Sequence, residues 1–188
     1  MSAEIEAFIL EVEGVLAETA DEHEITKRVA ERLAVLLTSD YRLPEELTRP
    51  SEEHHVNYPL YIAPDDKWSL AVVVWNLGQR TPVHGHETWG VVGIYEGAER
   101  ETRYVKPADD EVGVSLKPLE EQVFERGQVT VCCTTDDDVH SVAAAGDVPT
   151  VGIHVYGGNI GTIERRRYEP ETGAVQWFVS GWNEPVSR

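Results

Sequence analysis

The sequence has few cysteines, few lysines and no long apolar segment. Its 188 residues include 2 Cys, and the basic side chains are 4 Lys against 12 Arg. Cys132 and Cys133 are neighbours, which seldom meet the geometry of a mutual disulfide, so nothing requires an oxidising compartment. Side by side they also make a poor zinc site, and we interpret them as buried thiols. No apolar run approaches the ~18 residues of a membrane span and no basic leader is evident, so we expect a soluble, cytoplasmic protein.

Positive charge is also scarce. The chain has 34 Asp+Glu against 16 Lys+Arg, which gives a formal net charge of −18. Nucleic acids and anionic membranes are bound by positive surfaces, so this charge argues against either as the main partner. An excess of carboxylates is typical of proteins that stay soluble at high salt, although an ordinary acidic protein fits the composition equally well. The composition gives no indication of the oligomeric state.

The length and the 41% hydrophobic content predict one globular domain spanning residues 1–188. Residues 1–50 are predicted to be helical, because apolar residues recur at helical spacing in two stripes. Asp21 is the expected N-cap of the second helix, with Glu24 completing a capping box. Pro44 is expected to open a further helical turn. The two stripes are Ile5, Phe8, Ile9, Val12, Val15 and Leu16, then Ile25, Val29, Leu33, Leu36 and Leu37.

Residues 55–180 have the pattern of a β-barrel or β-sandwich. Short apolar runs rich in β-branched residues alternate with turn signals, and no alternation of strands with helices is present. Residues 136–138, three consecutive aspartates, are expected to form a solvated turn. The sequence therefore predicts a mainly β fold with a helical N-terminal cap. The predicted strands are Leu70–Leu77, Trp89–Tyr95, Val112–Leu116, Val123–Phe124, Val129–Cys133, Val151–Tyr156 and Gln176–Val179.

Three of the seven histidines have the spacing of a metal site. His84 and His86 are two residues apart, so in an extended segment both imidazoles point to the same face. His140 would join them only in a closed β topology. Three neutral imidazoles leave a divalent ion with its full charge and with open positions, which suits a site where the substrate supplies an anionic ligand. The alternative is that these are surface or core histidines of a metal-free barrel.

Two segments carry a resemblance to a known family. Residues 78–99, GQRTPVHGHETWGVVGIYEGAE, resemble the first metal-binding motif of the cupin superfamily, and are most similar to the thiol dioxygenases of the cysteine and 3-mercaptopropionate dioxygenase type. His140-Ser141-Val142 and residues 153–160, IHVYGGNI, resemble the second half of that family. The resemblance implies a cupin double-stranded β-helix, or jelly-roll barrel. It also implies one Fe(II) per chain, held by His84, His86 and His140.

The same resemblance implies roles for residues around the metal. Tyr156, backed by His154, would orient oxygen and substrate, and Arg165 would hold a substrate carboxylate. Tyr58 occupies the place where cysteine dioxygenases carry their carboxylate-binding Arg, and we expect it at the substrate site. The alternative for Arg165 is a solvated basic patch formed with its two Arg neighbours. The alternative for His154 and Tyr156 is a hydrogen-bonded histidine and a buried tyrosine in the protein core, without a role in the reaction.

The chain departs from the family at three places. Many cupins carry a glutamate ligand where this chain has Gly90 and Val91, which favours a site of three histidines. Gly90 also lies in the Trp89-Gly90-Val91 segment, where animal-type cysteine dioxygenases carry a tyrosine-linked Cys, so no such cross-link can form there. We expect Cys132 and Cys133 to lie elsewhere. Gly152 replaces the serine that precedes His154 in the family's hydrogen-bonded relay.

The expected function is a dioxygenase that adds both atoms of O2 to the sulfur of a small mercapto-acid, giving a sulfinate. The partners are then a small thiol and O2. The absent cross-link, the lack of an Arg near Tyr58 and the presence of Arg165 after the IHVYGGNI segment favour 3-mercaptopropionate over cysteine. Alternatives are another metal-dependent cupin enzyme, such as a dicarbonyl dioxygenase or an isomerase, or a non-catalytic cupin that binds a small ligand. Trp75 and Trp89 would wall the cavity or belong to the core, and surface positions are expected for His23, His54 and His55.

Overall fold

The computed structural model describes residues 2–105, 115–135 and 137–184. Two helices open the chain, α1 (Ala3–Glu18) and α2 (Glu22–Thr38). The side chain of Asp21 accepts a hydrogen bond from the Glu24 backbone N–H at 3.1 Å, which confirms the predicted N-cap. Pro44 lies just before a short 3-10 helix, Glu45–Leu47, and not at its first position. No helix of the described residues is long and apolar enough to cross a membrane.

Two antiparallel sheets follow the helices in the described residues. Their strands are β1 (Val56–Ile62), β2 (Ser69–Trp75), β3 (Val83–His84), β4 (Gly90–Glu96), β5 (Ala98–Tyr104), β6 (Pro118–Glu125), β7 (Val129–Cys133), β8 (His140–Ala145), β9 (Thr150–Tyr156), β10 (Arg165–Tyr168) and β11 (Val175–Phe178). The first sheet has the strand order β1-β2-β9-β4-β7, and the second has the order β11-β10-β3-β8-β5-β6. The mainly β prediction with an N-terminal helical cap is thereby confirmed.

The predicted strands are continuous apolar runs, whereas β1, β3, β5, β8 and β10 were not predicted and β6 was predicted only at Val123–Phe124. β2, β4, β7, β9 and β11 coincide with predicted runs to within about two residues. β5 and β10 carry too many charged side chains to be recognised by their pattern, and β1 is interrupted by Pro59. Of the predicted strand at 112–116, residues 112–114 lie outside the described residues, and residues 115–116 are not in a strand.

The five-stranded sheet is covered on both faces. In β2, Leu70, Val72 and Val74 belong to the same apolar cluster as the helices. Ala71 and Trp75 alternate with them and belong to a second cluster on the opposite face. All seven residues of β2 are buried, which is why the strand appears in the sequence as a continuous apolar run.

The helix α2 packs closely against the strand β4. A Cβ atom at Gly93 would lie 2.7 Å from Leu37 Cδ1 and 2.9 Å from Leu33 Cδ2, so the absence of a side chain at Gly93 permits this approach. The helices therefore cover one face of the first sheet. The opposite face is left to meet the second sheet, and the cavity described next lies between the two sheets.

Candidate metal centre

His84, His86 and His140 converge at one point between the sheets. His84 in β3 and His140 in β8 are register partners in adjacent antiparallel strands, and His86 follows two residues after β3. The ring centroids of the three imidazoles lie 4.8–4.9 Å apart. One nitrogen from each ring lies within 4.8 Å of the others, and all three side chains are buried. The closed β topology thus brings together the three residues that the sequence predicts as ligands.

The hydrogen bonds of the three rings leave nitrogens free for an ion. His84 Nδ1 lies 3.0 Å from the carbonyl oxygen of Pro82, and His140 Nδ1 lies 2.7 Å from Glu101 Oε1. His140 Nε2 and His86 Nδ1 are buried without a hydrogen-bond partner among the described residues. Because an unpaired buried polar atom costs about 1–3 kcal/mol, these nitrogens fit metal coordination. The cluster can therefore hold a metal ion.

Burial keeps two of these imidazoles neutral. Desolvation lowers the pKa of His84 and of His86 well below the ordinary value of 6.5, and the neighbouring His140 lowers it further. A neutral imidazole has one lone pair, which is the form that binds a metal ion. At neutral pH these two imidazoles are therefore in their ligating form.

Glu101 fixes the orientation of His140, and sequence reasoning missed it. The carboxylate of Glu101 in β5 is 3% exposed and accepts the hydrogen bond of His140 Nδ1. Arg103 lies on its other side, with its Nε 3.4 Å from Glu101 Oε2. A carboxylate behind a metal-binding histidine fixes the tautomer and raises the basicity of the ligating nitrogen. The available signal was the alternation of acidic residues in β5, where Glu99 and Glu101 both point inward.

Asp138 holds the backbone of the segment that carries His86. Its carboxylate accepts hydrogen bonds from the backbone N–H groups of His86 at 3.2 Å and Glu87 at 3.0 Å. A Cβ atom at Gly85 would lie 2.7 Å from Asp138 Oδ2, so the glycine permits this contact. Asp138 is 1% exposed, so the predicted solvated turn is wrong at this residue. Asp136 lies outside the described residues.

A cavity of about 310 Å³ opens over the three histidines. The first sheet lines it with apolar side chains, Val73 and Trp75, and with the polar pair His154 and Tyr156, and the second sheet contributes the ligand histidines. Glu99 lies in the cavity wall, 2% exposed, and its Oε2 has no hydrogen-bond partner among the described residues. Burial raises the pKa of Glu99 to about 8, with a further contribution from Glu101. The cavity therefore contains a carboxyl group that stays mostly protonated at neutral pH.

Tyr156 and His154 lie side by side on the cavity wall. The Tyr156 hydroxyl and His154 Nδ1 share a hydrogen bond of 2.8 Å, and the Tyr156 ring centroid is 5.0 Å from that of His86. Burial raises the pKa of Tyr156 well above 10 and lowers the pKa of His154 to about 3, so both groups are neutral. A Cβ atom at Gly152 would lie 2.5 Å from His154 Nε2. The imidazole thus occupies the space that a serine at 152 would need.

Arg165 lines the cavity as the first residue of β10. It is 6% exposed, and its Nε has no hydrogen-bond partner among the described residues. Its guanidinium carbon lies 4.8 Å from the centroid of the Phe178 ring. Desolvation lowers the pKa of Arg165 from 12.5, which reflects the cost of holding this charge away from water. A buried guanidinium of this kind is suited to an anionic partner inside the cavity.

The other two arginines of β10 have protein partners. Arg166 forms a two-point ion pair with Glu87, with its Nε and Nη2 atoms 2.7 and 2.8 Å from the two carboxylate oxygens. Arg167 donates hydrogen bonds to Gln176 at 2.6 and 3.0 Å. The alternative of a solvated basic patch therefore does not describe this strand.

Two residues predicted near the cavity lie on the other face of the first sheet. Tyr58 and Trp89 are buried in the cluster that the helices share with the sheet. In β1 the side chains alternate, so Asn57 lines the cavity while Tyr58 faces the helices. A substrate contact through Tyr58 is incompatible with this position. Trp75 lines the cavity as predicted, whereas Trp89 belongs to the core.

His55 is a cavity residue, and its predicted surface position is wrong. Its ring stacks on Trp75 with centroids 4.3 Å apart, and its side chain is half-buried. Burial lowers the pKa of His55 to about 4, and the nearby His54 and Arg165 lower it further. His23 and His54 are exposed as predicted. The hydrophobic pattern could not reveal His55, because it precedes a strand that was itself not predicted.

Cys132 and Cys133 lie beside the metal centre, contrary to the prediction that they lie elsewhere. Both thiols are free and buried, and their Sγ atoms are 3.3 Å apart. A Cβ atom at Gly90 would lie 2.7 Å from Cys133 Sγ, 2.8 Å from Cys132 Sγ and 3.1 Å from Tyr156 Cδ1. The two sulfur atoms therefore fill the space over Gly90, next to the tyrosine ring.

No family model matches this chain. Solved structures with a similar fold include a double-stranded β-helix protein from Klebsiella pneumoniae, with 13% identity, a TM-score of 0.46, and coverage of 74% of this chain and 92% of that chain. A cupin-like protein from Thermotoga maritima has 16% identity, a TM-score of 0.44, and coverage of 76% and 90%. A putative mannose-6-phosphate isomerase from Ralstonia eutropha has 16% identity, a TM-score of 0.44, and coverage of 65% and 94%.

Proposed function

We propose that this chain is a cupin-type, Fe(II)-dependent thiol dioxygenase that converts a small mercapto-acid and O2 into the corresponding sulfinate. The observation that carries the proposal is one cavity that combines three convergent imidazoles with a buried guanidinium. His84, His86 and His140 supply a metal site without an anionic ligand. Arg165 supplies a fixed positive charge without a hydrogen-bond partner at its Nε among the described residues. A ligand with a thiolate at one end and a carboxylate at the other matches both groups.

The three imidazoles would hold the ferrous ion. When bound, the ion supplies the redox chemistry that joins dioxygen to sulfur. The protein contributes neutral nitrogen ligands, which leave the positive charge of the site available to a thiolate. Glu101 holds the His140 ring through Nδ1, and Asp138 holds the backbone at His86. These contacts fix the ligand geometry from outside the site.

Arg165 would bind the carboxylate of the substrate. A guanidinium can donate two parallel hydrogen bonds to a carboxylate, and a buried pair of this kind is stronger than an exposed one. Glu99 is mostly protonated at neutral pH, so the cavity offers little negative charge to a substrate ammonium. This favours a mercapto-acid without an amino group, such as 3-mercaptopropionate, over cysteine.

Tyr156 and His154 would position the reacting groups. The Tyr156 hydroxyl is neutral and held by His154 Nδ1, so its location is fixed before the substrate arrives. Val73 and Trp75 line the cavity beside this pair with apolar surface. A preorganised hydroxyl orients a substrate more effectively than bulk water does.

The test is anaerobic reconstitution with Fe(II), followed by oxygen uptake and sulfinate detection with 3-mercaptopropionate, L-cysteine and cysteamine. We expect one O2 consumed per sulfinate formed, and the highest kcat/KM for 3-mercaptopropionate. A rate for L-cysteine far above that for 3-mercaptopropionate would overturn the substrate preference. Oxygen uptake with a dicarbonyl compound but with no thiol would replace the proposal with another cupin reaction. An iron-loaded protein that is inert with all of these would favour a ligand-binding role.

The role of Arg165 can be separated from general damage by comparing substrates. In Arg165→Ala we expect KM for 3-mercaptopropionate to rise by 10-fold or more, because the carboxylate loses its partner. The reaction with cysteamine has no carboxylate to lose and should change little. Arg49→Ala, on the exposed 3-10 helix region, is the matched control and should leave both substrates unchanged. Equal losses for both substrates in Arg165→Ala would show that this residue does not select the carboxylate.

A further inference from the structure

A β-bulge places two neighbouring cysteines on one side of the first sheet. Along the pairing of β4 with β7, Gly90 lies opposite Cys133 and Val91 lies opposite Val131. Cys132 is therefore the extra residue of a bulge. Consecutive residues of a regular strand point to opposite faces, whereas a bulge re-aims the side chain of the extra residue. This explains how both thiols reach the same space.

The two thiols form a compact group with His86. One ligand atom from each of Cys132, Cys133 and His86 lies within 4.8 Å of the others, and the residues are 3%, 1% and 2% exposed. Gly90 has no side chain to fill the space between them, and even a Cβ atom there would collide with both sulfurs. The surroundings are apolar, since the cysteines pack with Val92, Ile94 and Phe124.

We propose that Cys132, Cys133 and His86 form a second metal site, specific for a thiophilic divalent d10 ion of the Zn(II) or Cd(II) class. Two thiolates and one neutral imidazole are a ligand set that zinc accepts with a fourth position left open. Binding forms two metal–sulfur bonds and releases two thiol protons to solvent. The charges of the ion and the two thiolates then cancel, which is the condition for stability in an apolar environment.

The geometry requires a small adjustment of the thiols. Metal–sulfur bonds of about 2.3 Å at a tetrahedral angle place two sulfurs about 3.8 Å apart. The Sγ atoms of Cys132 and Cys133 are 3.3 Å apart, so each sulfur must move by only a few tenths of an ångström. The backbone that carries the imidazole is already held by the hydrogen bond from the His86 N–H to Asp138.

His86 belongs to both metal clusters, so the two sites compete. A neutral imidazole offers one lone pair, and one ring cannot serve two ions without losing its proton. Hard and borderline ions such as Fe(II) are expected to choose the three nitrogens, whereas thiophilic ions choose the sulfurs. The chain would therefore hold one ion at a time, and the identity of the ion would decide which cluster is filled. This inference does not depend on thiol oxidation.

The experiment is titration of the reduced, metal-free protein with Cd(II) under anaerobic conditions. We expect a thiolate-to-cadmium charge-transfer absorption in the ultraviolet that saturates at one ion per chain. Cys132→Ala, Cys133→Ala and His86→Ala should each weaken Cd(II) binding by 10-fold or more. His84→Ala is the matched control, because it removes a ligand of the three-histidine cluster only, and it should retain the absorption and the affinity. Circular dichroism checks that each variant is folded.

Two further measurements make the result independent of the variants. Cadmium NMR of the wild-type protein reports the number of sulfur ligands, and two sulfurs are expected. Loading with Fe(II) should lower the apparent affinity for Cd(II), with release of iron as cadmium binds. A wild-type protein without the charge-transfer absorption would overturn the proposal, as would a His84→Ala variant weakened as much as Cys133→Ala. Simultaneous binding of iron and cadmium at one ion each would refute the shared use of His86.

Discussion

The two faces of the first sheet differ in chemistry although they are built by the same strands. In β9, Ile153 and Val155 lie in the apolar cluster under the helices, whereas His154 and Tyr156 line the cavity. All seven residues of this strand are buried, so burial alone does not distinguish the faces. Alternate residues of this strand therefore pack against the helices or line the cavity. Neighbouring positions along the strand differ in which of these two roles they have.

The cavity side carries buried carboxyl groups and imidazoles, which the apolar cluster on the helix side lacks among the described residues. Glu99, Glu101, Asp138 and the four histidines 84, 86, 140 and 154 are all buried there. Buried polar groups cost free energy unless they are paired, and atoms of Glu99, His86, His140 and His154 have no hydrogen-bond partner among the described residues. The apolar contacts on the helix side must offset that cost. We therefore expect substitutions on the helix side to change stability and those on the cavity side to change metal binding or pH dependence.

The largest effect is expected from a cavity created on the helix side. Ile153 is fully buried, so Ile153→Ala should lower the free energy of unfolding by about 4 kcal/mol, within the usual range for buried Ile→Ala. Metal affinity should stay within about twofold, since Ile153 faces away from the histidines. Chemical denaturation and metal titration measure the two quantities. Leu119→Ala, at an exposed position of β6, is the control and should change stability little. A tenfold loss of metal affinity in Ile153→Ala would break the separation of the two faces.

A pH-dependent effect is expected from Glu99 on the cavity side. Its pKa is about 8 in the folded chain and 4.5 when unperturbed, so the folded state holds a proton that the unfolded state releases. The resulting stability is fully present below pH 4.5 and is lost as the pH rises through 8. Between pH 5 and pH 8 this loss amounts to roughly 3 kcal/mol. Glu99→Gln should remove that slope, as measured by denaturation at a series of pH values. Parallel pH profiles for the variant and the wild type would contradict the assignment.

A smaller effect is expected from the carboxylate behind His140. Glu101→Gln keeps the shape of the side chain but removes its charge, and should lower metal affinity by about 10–100-fold. The unfolding free energy of the metal-free protein should change less than in Ile153→Ala. Glu121→Gln, an exposed residue of β6 near Arg100, is the matched control and should leave metal affinity unchanged. Unaltered affinity in Glu101→Gln would mean that the hydrogen bond to His140 does not tune the site.

Local spacing was enough to predict the helices and the pairing of His84 with His86 on one face. The stripes of α1 and α2 repeat at helical spacing, and His84 and His86 share a face by alternation alone. His140 required the family resemblance, because only the pairing of β3 with β8 places it opposite His84. The cavity role of Arg165 was likewise implied by the resemblance and is compatible with its buried position.

The residues that escaped prediction depend on contacts between distant segments. Asp138 was predicted to lie in a solvated turn because it is one of three consecutive aspartates. The backbone N–H groups that it binds lie some fifty residues earlier in the chain, so no local pattern indicates that it is buried. Tyr58 was misplaced because the strand β1 was not recognised, and its alternation therefore could not be assigned. The cysteines were misplaced because the bulge at Cys132 is a property of strand pairing. Hydrophobic periodicity contains no information on any of these three features.

The strand order has a consequence for hydrogen exchange. β9 lies between β2 and β4 in the middle of the first sheet, so its amides should exchange only through global opening. β3 has two residues, and the segment that follows it is held by isolated contacts with Asp138 and Arg166 rather than by continuous strand pairing. The wall with Tyr156 is therefore rigid before any ion binds, whereas the segment with His84 and His86 opens locally. A bound ion should slow exchange at residues 84–87 and leave the amides of β9 almost unchanged.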